Sequence, residues 1–140
     1  MKTYKKNQTM PHNRFYTGFD RNRRKNAQGK DGTTQQEYIS KRMAEIRKTE
    51  PGYIWMAYID IPNITKNKIE SLEKYVMSIL EDEYQSVGND HFIFKVTKAN
   101  KYHEYTKFAQ RSLDLATEYC HMRKWDYTVK WNKKFLAMCG

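Results

Sequence analysis

The residue types in this chain that suit metal chemistry are scattered. Thiolates and imidazoles are zinc ligands, yet Cys120 and His121 are adjacent and point to different sides of a helix, Cys139 stands apart, His91 and His103 are isolated, and no Cys-x-x-Cys occurs. Metal-dependent nucleases often carry an Asp/Glu-x-Lys tripeptide on a strand, because alternate residues share a face; the chain contains none. Its carboxylates do gather at Glu70, Glu73, Glu81, Asp82 and Glu83. Glu73 beside Lys74, and Glu70 four residues after Lys66, read most simply as the charge pattern of a solvated helix. The six glycines, at 18, 29, 32, 52, 88 and 140, form no phosphate-gripping loop. Nothing in the sequence assigns a base to either thiol. These absences lead to the expectation of a non-enzyme with no cofactor and no metal.

The chemistry the sequence does offer is that of gripping a polyanion. Residues 1–32 hold nine Lys or Arg against Asp20 and Asp31, a net +7 of the chain's formal +10, and contain no Val, Ile, Leu or Cys. Such a stretch reads as a disordered basic arm, closed by a Gly29–Gly32 hinge. Lys5, Lys6, Arg14, Arg21, Arg23, Arg24 and Lys25 would meet phosphates, while Phe15, Tyr16 and Phe19 would stack on bases. Arg42 and Arg47 would extend this surface, and Trp125, beside Arg123 and Lys124, could stack on a base. Removing residues 1–30 is then expected to abolish binding and leave the fold intact. The expected partner is RNA or a ribonucleoprotein, with DNA as the other polyanion. No transit-peptide stripe is present, and the longest apolar stretch, Tyr53–Ile59, is too short to span a bilayer. A cytoplasmic protein with two free thiols and no membrane partner is expected.

Behind the arm, residues 33–140 are long enough for a single compact domain. Thr34 and Glu37 have capping-box spacing ahead of a helical stripe of Ile39, Met43 and Ile46, stopped by Glu50-Pro51-Gly52. Tyr53–Ile61 is apolar on both alternating sets, which predicts a strand buried on two faces. Ile69, Leu72, Val76, Ile79 and Leu80 place a helix over 66–84, with Asn67 and Glu70 as its capping pair. Alternation over His91–Thr97 predicts a strand, the spacing of Phe108, Leu115, Ala116 and Tyr119 a helix over 103–122, and Tyr127, Val129 and Trp131 a last strand. The tail 135–140 carries no assignment. The expected fold is α/β or α+β: three helices on a sheet of about three strands, with neighbouring strands parallel unless one has been missed.

Two resemblances attach to these residues. Gly52-Tyr53-Ile54 and Ala57-Tyr58-Ile59, followed by Glu73 in a helix and by Gly88 to Phe92, look like the GIY-YIG nucleases. Membership would imply tyrosines on the first strands, a helical catalytic Arg and a metal-binding Glu on a later helix. Here the two tyrosine motifs share one strand, and no Arg lies between Ala57 and Gln110. The overall layout, a basic aromatic N-terminus (Lys2 to Lys30) before a compact body (Tyr53 to Trp131), resembles phage-encoded type II anti-CRISPR proteins. That likeness implies an inhibitor docking on a guide-RNA-loaded nuclease of the Cas9 kind. Three functions therefore stand open: such an inhibitor, a direct RNA- or DNA-binding regulatory or ribosome-associated protein, and a diverged GIY-YIG-like nuclease using Glu73.

Overall fold

A computed structural model of the chain describes residues 8–21, 27–88 and 90–140. Tyr53–Asp60, the strand most legible in sequence, is β4, and its antiparallel neighbour is Arg14–Asp20 (β2). β2 is buried at every position and also pairs along its whole length with Ala27–Thr34 (β3). The stretch expected to be a free arm thus contributes the two inner strands of the sheet. A short strand before it, Thr9–Met10 (β1), pairs with Ile64–Thr65 (β5).

The composition that suggested disorder has a different physical meaning here. β3 has no large apolar side chain, and its glycines accept the rings of neighbours. A methyl group at Gly29 would collide with the Phe108 ring, and one at Gly32 with the Tyr16 hydroxyl. β2 alternates its rings between the two faces of the sheet. Phe15 and Phe19 point to one side and Tyr16 to the other, so amphipathic rings do the packing that branched aliphatics do elsewhere.

The main sheet has six strands in the order β6-β7-β3-β2-β4-β8, every pairing antiparallel. Its remaining members are Gln85–Val87 (β6), His91–Phe94 (β7) and Thr128–Trp131 (β8). The expected three-stranded sheet with parallel crossovers is corrected accordingly. β4 and β7 would have been parallel neighbours, but β2 and β3 lie between them. The architecture is α+β, with four helices among the described residues.

Ile39–Arg47 (α1) covers one face, where Met43 and Ile46 meet Tyr16 and Tyr53. Lys66–Glu83 (α2), Lys101–Arg123 (α3) and Lys133–Cys139 (α4) cover the other, around Phe15, Phe19, Met56 and Phe108. α1 starts later than its sequence signal, because Thr34 closes β3 and its hydroxyl accepts the Gln36 N–H instead of capping the helix. Thr65, not Asn67, caps α2, accepting from the Lys68 N–H. No described helix is long and apolar enough to cross a membrane.

Candidate functional site

The register of β2 places Tyr16 under α1, where its ring packs on Met43 and Ile46 and lies edge-on to Tyr53 at 6.4 Å. α1 is amphipathic, and Arg42 falls on the flank next to the buried Met43. From there its Nε–H donates to the Tyr16 hydroxyl at 3.4 Å, while Nη1 pairs with Glu45 at 3.2 Å. Burial raises the Tyr16 pKa, with the Arg42 charge acting against it. Tyr16 is therefore a neutral phenol that holds the guanidinium in place.

Glu73 lies on α2, which covers the opposite face of the sheet, and it acts on this group through its charge. Ile69, Leu72, Val76 and Leu80 turn into the core, which leaves Glu73 half-buried on the flank of the helix. Its pKa is raised, first by burial and then by the charges of Asp90 and Glu70, against the opposing pull of Arg42. Glu73 and Asp90 in turn act on Tyr16. Glu73 thus lies within electrostatic reach of Tyr16, Arg42 and Asp90, although Tyr16 and Glu73 are far apart in sequence.

A second polar group adjoins it. His91 on β7 sits between two carboxylates, with Nε2 2.7 Å from Glu50 and Nδ1 2.8 Å from Asp90. Lys30, opposite His91 across the β3–β7 pair, reaches Glu50 at 3.4 Å and Asp90 at 3.9 Å. The hydrogen bond to Asp90, assisted by Glu50, raises the His91 pKa and keeps the imidazole protonated beyond its usual range. The same bond lowers the pKa of Asp90. The β7 pairing ends at Lys30, so among the described residues Asp31–Thr34 of β3 pair with β2 alone.

Several candidate contacts are corrected by these positions. Phe15 and Phe19 have at most 1% of their surface exposed and cannot stack on a base; Tyr16 is equally buried. Arg14 is buried too, its guanidinium donating to the Gln36 and Glu37 carbonyls at 2.7 and 3.0 Å and lying over the Tyr58 ring. It fixes the loop into α1 and does not face solvent. Trp125 is half-buried, edge-on to Tyr119 at 5.5 Å. Arg21 and Arg47 are exposed, Arg47 donating to the Tyr53 carbonyl at 3.2 Å. Lys5, Lys6, Arg23, Arg24 and Lys25 lie outside the described residues.

Of the expected binding residues, Arg42 and Tyr16 are joined by a hydrogen bond, and both lie within electrostatic reach of Glu73. Finding this in sequence would have required recognising β2 as a strand. Lys30, Glu50, Asp90 and His91 had no sequence signal beyond their types. Among the described residues no three His, Cys, Asp or Glu side chains form a metal-holding group. Glu73 by itself offers the single carboxylate with which magnesium sites commonly begin, the other ligands being water and substrate phosphate. An open groove of about 450 Å³ lies elsewhere, between the end of α2 and α3, lined by Tyr84, His103, Lys107 and the Arg111–Glu83 ion pair. No family model, curated protein or solved structure matches the chain.

Proposed function

We propose that this protein hydrolyses phosphodiester bonds of a nucleic acid at the site formed by Tyr16, Arg42 and Glu73. The observation that carries the reading is the anchoring of Arg42 by the Tyr16 hydroxyl, with the half-buried Glu73 of α2 within electrostatic reach of both. The GIY-YIG resemblance implies a strand tyrosine, a helical Arg and a Glu on a later helix. In this fold Tyr16 on β2, Arg42 on α1 and Glu73 on α2 supply those types in that chain order. The tyrosines that first suggested the likeness, Tyr53 and Tyr58, share β4. Moving the tyrosine role to Tyr16 gives the helical Arg a place between tyrosine and glutamate.

In this account water attacks the phosphorus and gives up a proton to solvent, the bond to the leaving oxygen breaks and that oxygen takes a proton from solvent, and negative charge builds on the non-bridging oxygens on the way. Arg42 offsets that charge, a contribution worth roughly 10²–10³ in rate for comparable groups. Tyr16 fixes the guanidinium through Nε and Glu45 holds Nη1, which leaves Nη2 to the substrate. Glu73 would hold a divalent cation, which when bound polarises the phosphate and acidifies a water. Asp90 and Glu70 add negative charge around Glu73, which favours a cation there.

The reading replaces the expectation of a non-enzyme and keeps the expected ligand. The inhibitor reading depended on a free basic arm, and the described part of that arm is largely sheet. The test is incubation of plasmid DNA and a structured RNA with magnesium, manganese or a chelator. Cleavage that needs the cation and falls at least about 10²-fold in Glu73→Ala supports the proposal. Binding without cleavage under every condition contradicts it.

A further inference from the structure

The chain has a second basic focus that its N-terminal charge obscures. Residues 121–140 hold Arg123, Lys124, Lys130, Lys133 and Lys134 against Asp126 alone. The fold strings these five along one edge. α3 ends at Lys124 in a left-handed turn (φ 60°), the chain doubles back into β8, and α4 begins directly after it. β8 pairs with β4 on one side only. The end of β8 is anchored by Asn132, whose side-chain amide donates to the Trp55 carbonyl and whose backbone N–H donates to that of Met56, both at 2.8 Å. Lys124, Lys130, Lys133 and Lys134 are all exposed, and among the described residues none of them enters an ion pair.

A lysine on an edge strand guards against unwanted strand pairing, which would account for Lys130 by itself. It does not call for cations before and after the strand. Register supplies the second argument. Tyr16 is opposite Tyr58 and Tyr58 is opposite Lys130, so the three lie in one row on one face of the sheet. At about 4.8 Å per strand, the Lys130 backbone is roughly 10 Å from that of Tyr16.

We infer that this edge, from the end of α3 through β8 to the start of α4, is a docking track for the phosphate backbone of a nucleic acid. The identity of the ligand rests on the function proposed above; the location rests on the charge and register. A polynucleotide rounding this edge would be held by Lys133 and Lys134 at the start of α4 and by Lys130 on the face that carries Tyr16, and would run from there toward Arg42.

The test uses the Glu73→Ala protein, so that substrate stays intact, with fluorescein-labelled DNA duplex and hairpin RNA in fluorescence anisotropy titrations over a range of salt. Lys130→Gln/Lys133→Gln/Lys134→Gln is compared with Lys95→Gln/Lys98→Gln/Lys107→Gln, which removes the same charge elsewhere. The edge variant is expected to bind at least about tenfold more weakly, with a duplex log–log salt slope shallower by roughly 2–3, while the control changes little. Equal losses in both variants would reduce the effect to net charge and overturn the track. An edge variant binding like its parent would overturn the track and leave the hydrolase reading standing. A parent that binds neither DNA nor RNA at low salt would overturn both.

Discussion

Asp31 is a carboxyl group with no exposed surface, facing Ser112 of α3, whose hydroxyl donates to it at 2.7 Å, and paired in cross-strand register with Thr17. Burial outweighs those hydroxyls and pushes its pKa up to about 7. An acid whose folded pKa lies above its unfolded value destabilises the fold as pH rises. The effect is absent below about pH 4, grows as the unfolded chain ionises first, and is complete above about pH 7, on the order of 4 kcal/mol. Denaturant titrations should therefore show stability falling between pH 4 and 8, and Asp31→Asn should flatten that fall. A variant that is less stable than the parent at pH 8, with the pH dependence unchanged, would show that the carboxylate is welcome where it sits. Residue types alone pointed to Phe15, Tyr16 and Phe19 as important, but not to where they act. A ring that stacks on a base and a ring that fills a core leave the same mark in a sequence, and only the strand alternation of Arg14–Asp20 separates the two.

β7 is held at its start by charge. His91 bonds to Glu50 in the turn before β4 and to Asp90 beside it, with Lys30 across the strand pair. Lys30 and Glu50 are the charged groups facing the ring from β3 and the α1–β4 turn. Because the folded His91 pKa is raised, its contribution is fully present below about pH 6.5 and is lost as pH rises through the raised value. Asp90 has a lowered pKa, so its share persists upward from about pH 4 and is lost on acidification. Hydrogen exchange of the Phe92–Phe94 amides, corrected for intrinsic rates and measured in Asp31→Asn to remove the buried carboxyl, should quicken as pH rises from 6 to 9. His91→Ala should abolish that dependence and cost about 1–2 kcal/mol, allowing for solvent screening at Asp90. Unchanged exchange across the range would mean that the group does not secure the strand. Among the elements, α2, β4 and α3 were legible because their aliphatic and aromatic periodicity is long. β3 was not, because its packing consists of glycines under other residues' rings, and α4 was not, because seven residues carry little periodicity.

For the whole molecule the consequence of β2 and β3 is topological. The β2–β4 and β2–β3 pairs join the two halves of the sheet, with Phe15 and Phe19 among the core residues under α2–α4. Burying each of those rings contributes about 1.5–3 kcal/mol, a large share of the marginal stability of a domain this size. Deleting residues 1–21 should therefore unfold the protein, giving a circular dichroism spectrum without a cooperative melt; a truncated chain that melts cooperatively would contradict the central placement of β2. The candidate site was hidden for the same reason. Tyr16, Arg42 and Glu73 come from three elements, and the helices that carry Arg42 and Glu73 were legible in the sequence, but without β2 the tyrosine had no structural address. The most direct measurement of whether they form one catalytic unit is a double-mutant cycle on single-turnover cleavage, comparing Arg42→Ala, Glu73→Ala and the pair. The account predicts that each single variant loses about 10²–10³ in rate and that the pair loses far less than the product of the two, as residues acting together do. Full activity in either single variant, with the fold intact, would contradict it.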